Sequence, residues 1–146
     1  MSNTNLELFE AQMAAFGQMD VERLLTSFDE GAVLQDMSAP ESPWTGREEI
    51  RGFLSDYFSH LSKAQVNIAS VATSHDRVFA ELEVKAEYIA DVSSPSDVHD
   101  VLMRYCVVET FSQGKIVHER FYWDRAEFES QFRANMEASA LPATGR

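Results

Sequence analysis

Phe111-Ser112-Gln113-Gly114-Lys115-Ile116-Val117-His118-Glu119-Arg120-Phe121-Tyr122-Trp123-Asp124-Arg125-Ala126-Glu127-Phe128-Glu129-Ser130-Gln131-Phe132 decides how this chain folds. Ser112 to Lys115 is a short polar connection containing a glycine, set between two runs rich in β-branched and aromatic residues, which is the sequence form of a β-hairpin. Ile116 to Trp123 therefore reads as a strand. Val117, Glu119, Phe121 and Trp123 share one of its faces; Ile116, His118, Arg120 and Tyr122 share the other. At Asp124 the period changes: Asp124 and Glu127 form the pattern of a capping box, and Phe128 and Phe132 recur one helical turn apart on the helix that follows.

Upstream, Val101 to Phe111 is the other arm of that hairpin. Val66 to Thr73 and Val78 to Ala90 flank a turn at Ser74-His75-Asp76-Arg77, and Ala80, Leu82, Val84, Ala86 and Tyr88 alternate with charged residues, so one face is dry and the other wet. Before the strands come helices. Leu6, Phe9, Met13 and Phe16 mark a first helix ending at Gly17, and Asp20 caps a second through Val21, Leu24, Leu25 and Phe28. Ala32 to Asp36 is a brief extended piece, followed by a loop with Pro40, Pro43 and Trp44. Thr45-Gly46-Arg47-Glu48 reads as a second capping box, opening a helix with a wide apolar stripe through Ile50, Phe53, Leu54, Tyr57, Phe58 and Leu61. The pattern predicts one α+β domain over residues 1–136, a curved, mostly antiparallel sheet around the N-terminal helices with a short C-terminal helix, and a flexible tail over 137–146.

Composition narrows the partners. With 45% hydrophobic residues the 146-residue chain can bury one proper core. A formal net charge of −12 repels phosphate backbones and anionic lipid, which argues against nucleic acid and membrane surfaces. No apolar run is long enough to span a bilayer, the start Ser2-Asn3-Thr4-Asn5 is unlike a signal sequence, and the single cysteine fits a reducing cytoplasm. That cysteine, Cys106, reads as a buried, inert thiol between strand residues. The four histidines are scattered without metal-ligand spacing, and no phosphate loop or nucleophile elbow occurs, so no metal and no cofactor is expected.

The order of helix, helix, short strand, Trp44-Thr45-Gly46-Arg47-Glu48-Glu49-Ile50, sheet, Gly114-Lys115-Ile116-Val117 and Arg120-Phe121-Tyr122-Trp123-Asp124 resembles the nuclear transport factor 2-like superfamily, and within it the SnoaL-like proteins. The resemblance implies a cone-shaped α+β barrel, a pocket between the concave sheet and the helices, and commonly a homodimer. It does not decide chemistry. Ala32 to Asp36 resembles the stretch that carries the base of ketosteroid isomerases, which implies Asp36 in that role; Val107 and Gln12 stand where that enzyme's oxyanion partners would be. The acid that the related polyketide cyclases and epoxide hydrolases carry on this strand falls on Phe121, and the hydrolase's arginine and second aspartate fall on Leu82 and Val84, which argues against both activities.

The candidates each carry two readings. Asp36 is either a desolvated base or the acceptor of a turn's amides. Glu119, in phase with Phe121, either faces an apolar pocket with a raised pKa or reaches water or an arginine at the rim. His99, in phase with Val101, Met103, Tyr105 and Val107, either faces the same cavity or is a solvated loop-edge residue. Asp124 reads as a helix cap, and His118 and Arg120 as interface or surface. The reading is a pocket protein acting on a small hydrophobic organic molecule by cofactor-independent acid-base chemistry of the isomerase, cyclase or dehydratase kind. Asp36 would be the base, Glu119 or His99 the acid, and Trp44, Tyr57, Leu82, Val84, Tyr88, Val107, Phe121 and Trp123 the wall. The alternative is a non-catalytic ligand-binding or dimerisation module of the same fold.

Overall fold

The structure, a computed structural model, describes residues 4–140, with side chains through residue 133. Among the described residues the elements run α1 (Thr4–Gly17), α2 (Val21–Leu25), β1 (Phe28–Asp36), β2 (Trp44–Thr45), α3 (Arg47–Ser59), β3 (Leu61–Ser74), β4 (Arg77–Ile89), β5 (Val98–Ser112), β6 (Lys115–Trp123) and α4 (Arg125–Ala140). The strands form one open sheet in the order β2-β1-β6-β5-β4-β3. Every pairing is antiparallel except β1 with β6, so the mostly antiparallel sheet expected from the sequence is found, curved but not closed.

Local chemistry sets the element ends. Asp20 caps α2 by accepting from the Arg23 amide at 3.1 Å, as expected. The helix stops at Leu25, and Phe28 opens β1 because its ring goes into the sheet core. The cap of α3 lies one residue later than the sequence suggested. Gly46 is the N-cap, at φ +86°, where a side chain is strained, and Glu49 reaches back to the Thr45 amide at 2.8 Å. Arg47 then ties the helix start to β1 through two bonds from its guanidinium to the Phe28 carbonyl, at 2.9 and 2.6 Å. Asp124 accepts from the Glu127 amide at 3.0 Å, but the Glu127 carboxylate turns to Arg104 on β5 at 2.8 Å. Gln131 fastens α4 to the sheet by two 2.9 Å bonds with the Leu102 backbone. The helix runs on to Ala140, so the tail expected from Glu137 begins as helix; residues 141–146 lie outside the described residues.

The core lies between the concave face of the sheet and α1, α2 and α3. Ala80, Leu82, Val84 and Ala86 of β4 are buried on that face, as the alternation predicted, with Val78 beside them and Tyr88 half-buried. Cys106 is exposed, correcting the buried reading: it is one residue out of phase with Tyr105 and Val107 and so points to the convex side.

Candidate functional site

Gln113 and Gly114, with φ +50° and +77°, form the two-residue turn that joins β5 to β6, and strict pairing from it would set Glu109 opposite His118. It does not. Ser112 faces Lys115 and Phe111 faces Ile116, but a bulge follows, so that Thr110 faces His118 and Glu109 faces Glu119. The extra residue resets the phase of β6. Ile116 is 0% exposed in the same core cluster as Phe121, although strict alternation assigned it to the other face. The bulge also brings two carboxyl groups to directly opposed positions on the concave side.

Glu109 is 0% exposed, and Glu119 is half-buried. Gln12 of α1, 4% exposed, donates to Glu119 Oε1 at 3.3 Å. Neither Glu109 oxygen receives a hydrogen bond from a described residue, and Gln12 Oε1 likewise meets no donor. Burial, and then the neighbouring Glu119 charge, push the Glu109 carboxyl well above the usual carboxylate range; burial also raises Glu119, against the pull of its bonds to Glu109 and Gln12. Two carboxylates side by side in an apolar interior cannot both ionise without a counter-charge. The proton on Glu109 is therefore held more tightly than on an ordinary glutamic acid, and its ionisation depends on that of Glu119.

Glu119 and Gln12 line a partly open cavity whose other walls include Met13, Phe16, Phe53, Tyr57, Leu82, Val84, Tyr105, Val107 and Phe121. About 70 Å³ of it is open to the centre of a water molecule, which suits a molecule of a few heavy atoms. Its aromatic wall is continuous: Phe53 lies 5.9 Å from both Tyr57 and Phe121, and Phe16 lies 5.7 Å from Tyr57. A second polar feature sits in that wall. The Tyr57 and Tyr105 hydroxyls are 3.1 Å apart, and Tyr105 donates to Met103 Sδ at 3.3 Å. Burial pushes the Tyr57 hydroxyl up to about 12 and Tyr105 well above its ordinary value, so both remain neutral donors.

The structure thus brings Glu119, Tyr57, Leu82, Val84, Val107 and Phe121 together on the wall, and places the other candidates elsewhere. Asp36 Oδ1 accepts from the Ser38 amide and hydroxyl, at 2.9 and 2.7 Å, and from Trp123 Nε1 at 3.0 Å. Its carboxylate closes the turn after β1 and anchors an indole; it is not on the cavity wall. Trp44 packs behind the wall, 4.2 Å from Phe53, and Trp123 lies 5.7 Å from Tyr105. Tyr88 and His99 belong to a different cluster, under α4, where each ring meets Phe132 edge-on at 5.3 and 5.2 Å. His99 is buried there rather than solvated, with Nε2 3.4 Å from Asp97 Oδ1 and without a hydrogen bond among the described residues. Among the described residues no group of side chains could hold a metal ion, and no helix is long and apolar enough to cross a membrane.

A profile of the SnoaL-like domain matches residues 9–119. The chain belongs to the SnoaL-like family. No curated protein sequence matches it. Solved structures resemble this SnoaL-like chain over nearly its whole length. A protein described as a SnoaL-like polyketide cyclase from Shewanella denitrificans superposes with a TM-score of 0.80 at 14% identity, covering 91% of this chain and 99% of that one. An LEH-like epoxide hydrolase from M. tuberculosis gives 0.75 at 16%, with 97% and 98% covered. A protein with a ketosteroid isomerase-like fold from Catenulispora acidiphila, in complex with trimethylamine, gives 0.73 at 18%, with 86% and 91% covered. Identities this low establish a shared fold and leave the chemistry to the site.

Proposed function

We propose that this SnoaL-like chain is a small-molecule enzyme that performs acid-base chemistry without a cofactor, of the isomerase, cyclase or dehydratase kind, on a compact and largely hydrophobic substrate. One observation carries the reading: two glutamates directly opposed across β5 and β6, Glu109 fully buried and Glu119 on the wall of an apolar cavity. Glu119 faces the cavity and exchanges the proton with substrate; Glu109 behind it holds the shared proton; Gln12 fixes Glu119 in place. The Tyr57 and Tyr105 hydroxyls, bonded to each other, give the wall a second polar spot. Asp36, the base that the family resemblance implied, serves the turn and Trp123 in this reading.

The test is hydrogen exchange on small carbon acids in D₂O, followed by NMR. The wild type is expected to exchange at least one member of a panel of small apolar carbonyl compounds, and Glu119→Gln to lose about 10² to 10⁴ of that rate. Exchange that survives in Glu119→Gln but not in Asp36→Asn would return the role of base to Asp36. Binding without exchange would favour the non-catalytic module, a reading motivated by Leu82, Val84, Val107 and Phe121 standing where relatives carry polar groups. The reading extends to a cytoplasmic homodimer joined through the convex sheet face, where Tyr122 is 41% exposed and the buried Arg120 Nε has no partner among the described residues. Sedimentation as a species near 16.5 kDa alone would contradict the dimer.

A further inference from the structure

The polar end of the cavity has acceptors in excess. Gln12 Oε1 and both Glu109 oxygens are buried without a donor among the described residues, and Glu119 adds a carboxyl with only the Gln12 amide donating to it. A single shared proton can satisfy one of these atoms. The rest are buried acceptors facing one another, and a buried acceptor or charge without a partner is unfavourable. The wall offers no compensation: its titratable side chains are Glu119 from β6, Tyr57 from α3 and Tyr105 from β5, with Glu109 behind, and among the described residues no lysine, arginine or histidine lines it. The tyrosine hydroxyls are engaged with each other and with Met103. What is missing is a compact positive charge bearing N–H donors.

We infer that the cavity's ligand is a small alkylammonium ion, its N–H groups directed at Glu119 and Gln12 and its short apolar tail held among Phe16, Phe53, Tyr57 and Phe121. Three further features fit that ion. The aromatic faces favour a cation as well as an alkyl chain. The cavity admits only a few heavy atoms. The formal net charge of −12 concentrates cations at the surface and repels anionic competitors. A metal ion fits less well, because it requires more oxygen ligands than this apolar wall presents. The inference rests on the proposed function only in taking the cavity as the ligand site; it does not require turnover.

Binding has a proton signature. A cation beside Glu119 removes the reason for the pair to keep its shared proton, so the proton leaves to the buffer as the ammonium enters, and affinity rises with pH until both carboxyls are ionised. The experiment is isothermal titration of the intact protein with propylammonium chloride and, separately, with 1-propanol, which has the same chain and no charge. Each titration is run in two buffers of different ionisation enthalpy. Propylammonium is expected to bind at least about tenfold more tightly than the alcohol and to release up to about one proton near neutral pH. Glu119→Gln is expected to weaken propylammonium by roughly 100-fold, and Glu109→Gln to abolish the buffer dependence. The comparison of the two probes needs no variant, so a variant that fails to fold does not blunt it. Equal binding of alcohol and ammonium, ammonium binding without proton release, or no ammonium binding overturns the inference. The first of these leaves the acid-base reading standing, since that reading fails only in the exchange assay.

Discussion

Replacing Glu109 by glutamine should make the protein's stability less sensitive to alkali, by an amount that follows from where the carboxyl sits. In the unfolded chain a glutamic acid ionises near about 4.3. In the native state burial and the opposed Glu119 hold the Glu109 proton well above that point. A group whose native pKa is raised binds more protons folded than unfolded between the two values, so folding stability is full below the unfolded value and falls as pH rises toward the native one. Each pH unit in that window costs about 1.4 kcal/mol for one proton. Glutamine keeps the shape, can donate to Glu119, and does not titrate. The difference in unfolding free energy between Glu109→Gln and wild type should therefore shift in favour of the variant by about 1.4 kcal/mol per pH unit across the window. Urea denaturation from about pH 5 to about pH 8 reads this directly from the midpoints. A constant difference across that range would mean that Glu109 is already ionised in the native protein, and the shared-proton pair would be refuted.

Two further outcomes are expected. Spectrophotometric titration of the folded protein should show one tyrosine ionising near 12 that is absent from Tyr57→Phe, because the Tyr57 hydroxyl is withdrawn from water among Phe16, Phe53 and Tyr105; a variant with an unchanged titration would place that hydroxyl in water. Asp36→Ala should lower stability by about 1 to 3 kcal/mol in urea, since the turn amide at Ser38 and the Trp123 indole lose their acceptor, and no loss would remove the structural role assigned to Asp36.

The fold was legible because its signals are local and repeat. The apolar stripe of α3, the wet and dry faces of β4 and the glycine turn before β6 each state their element within a dozen or so residues, and the structure follows them. Boundaries slipped where packing outweighed pattern. Phe28, which continued the helical spacing of α2, was drawn into β1, and Leu61, which continued that of α3, was drawn into β3. Much of the site depends on a feature that no periodicity reveals. Glu119 could be placed by phase, but Glu109 stands in phase with Tyr105 and Val107 and would still have been paired with His118 without the β6 bulge. The one available signal was an isolated glutamate in the run Val107-Val108-Glu109-Thr110-Phe111, a charged residue among strand-core types. His99 and Tyr88 also had the right phase for the cavity; α4 folds across that end of the sheet, and the rings of Phe128 and Phe132 take the space. Asp36 was placed by family position, and at that position a serine two residues on captures the carboxylate in a turn.

The central claim is that one proton is shared between Glu109 and Glu119 at the cavity wall. Carbon-13 NMR of the glutamate side-chain carboxyls, titrated from acid to neutral pH, tests it most directly. The account predicts one carboxyl that remains protonated at neutral pH, coupled in its titration to a second; in Glu109→Gln the first signal and the coupling disappear, while burial keeps Glu119 raised. A set of glutamates that all titrate within about a unit of 4.3 would contradict it.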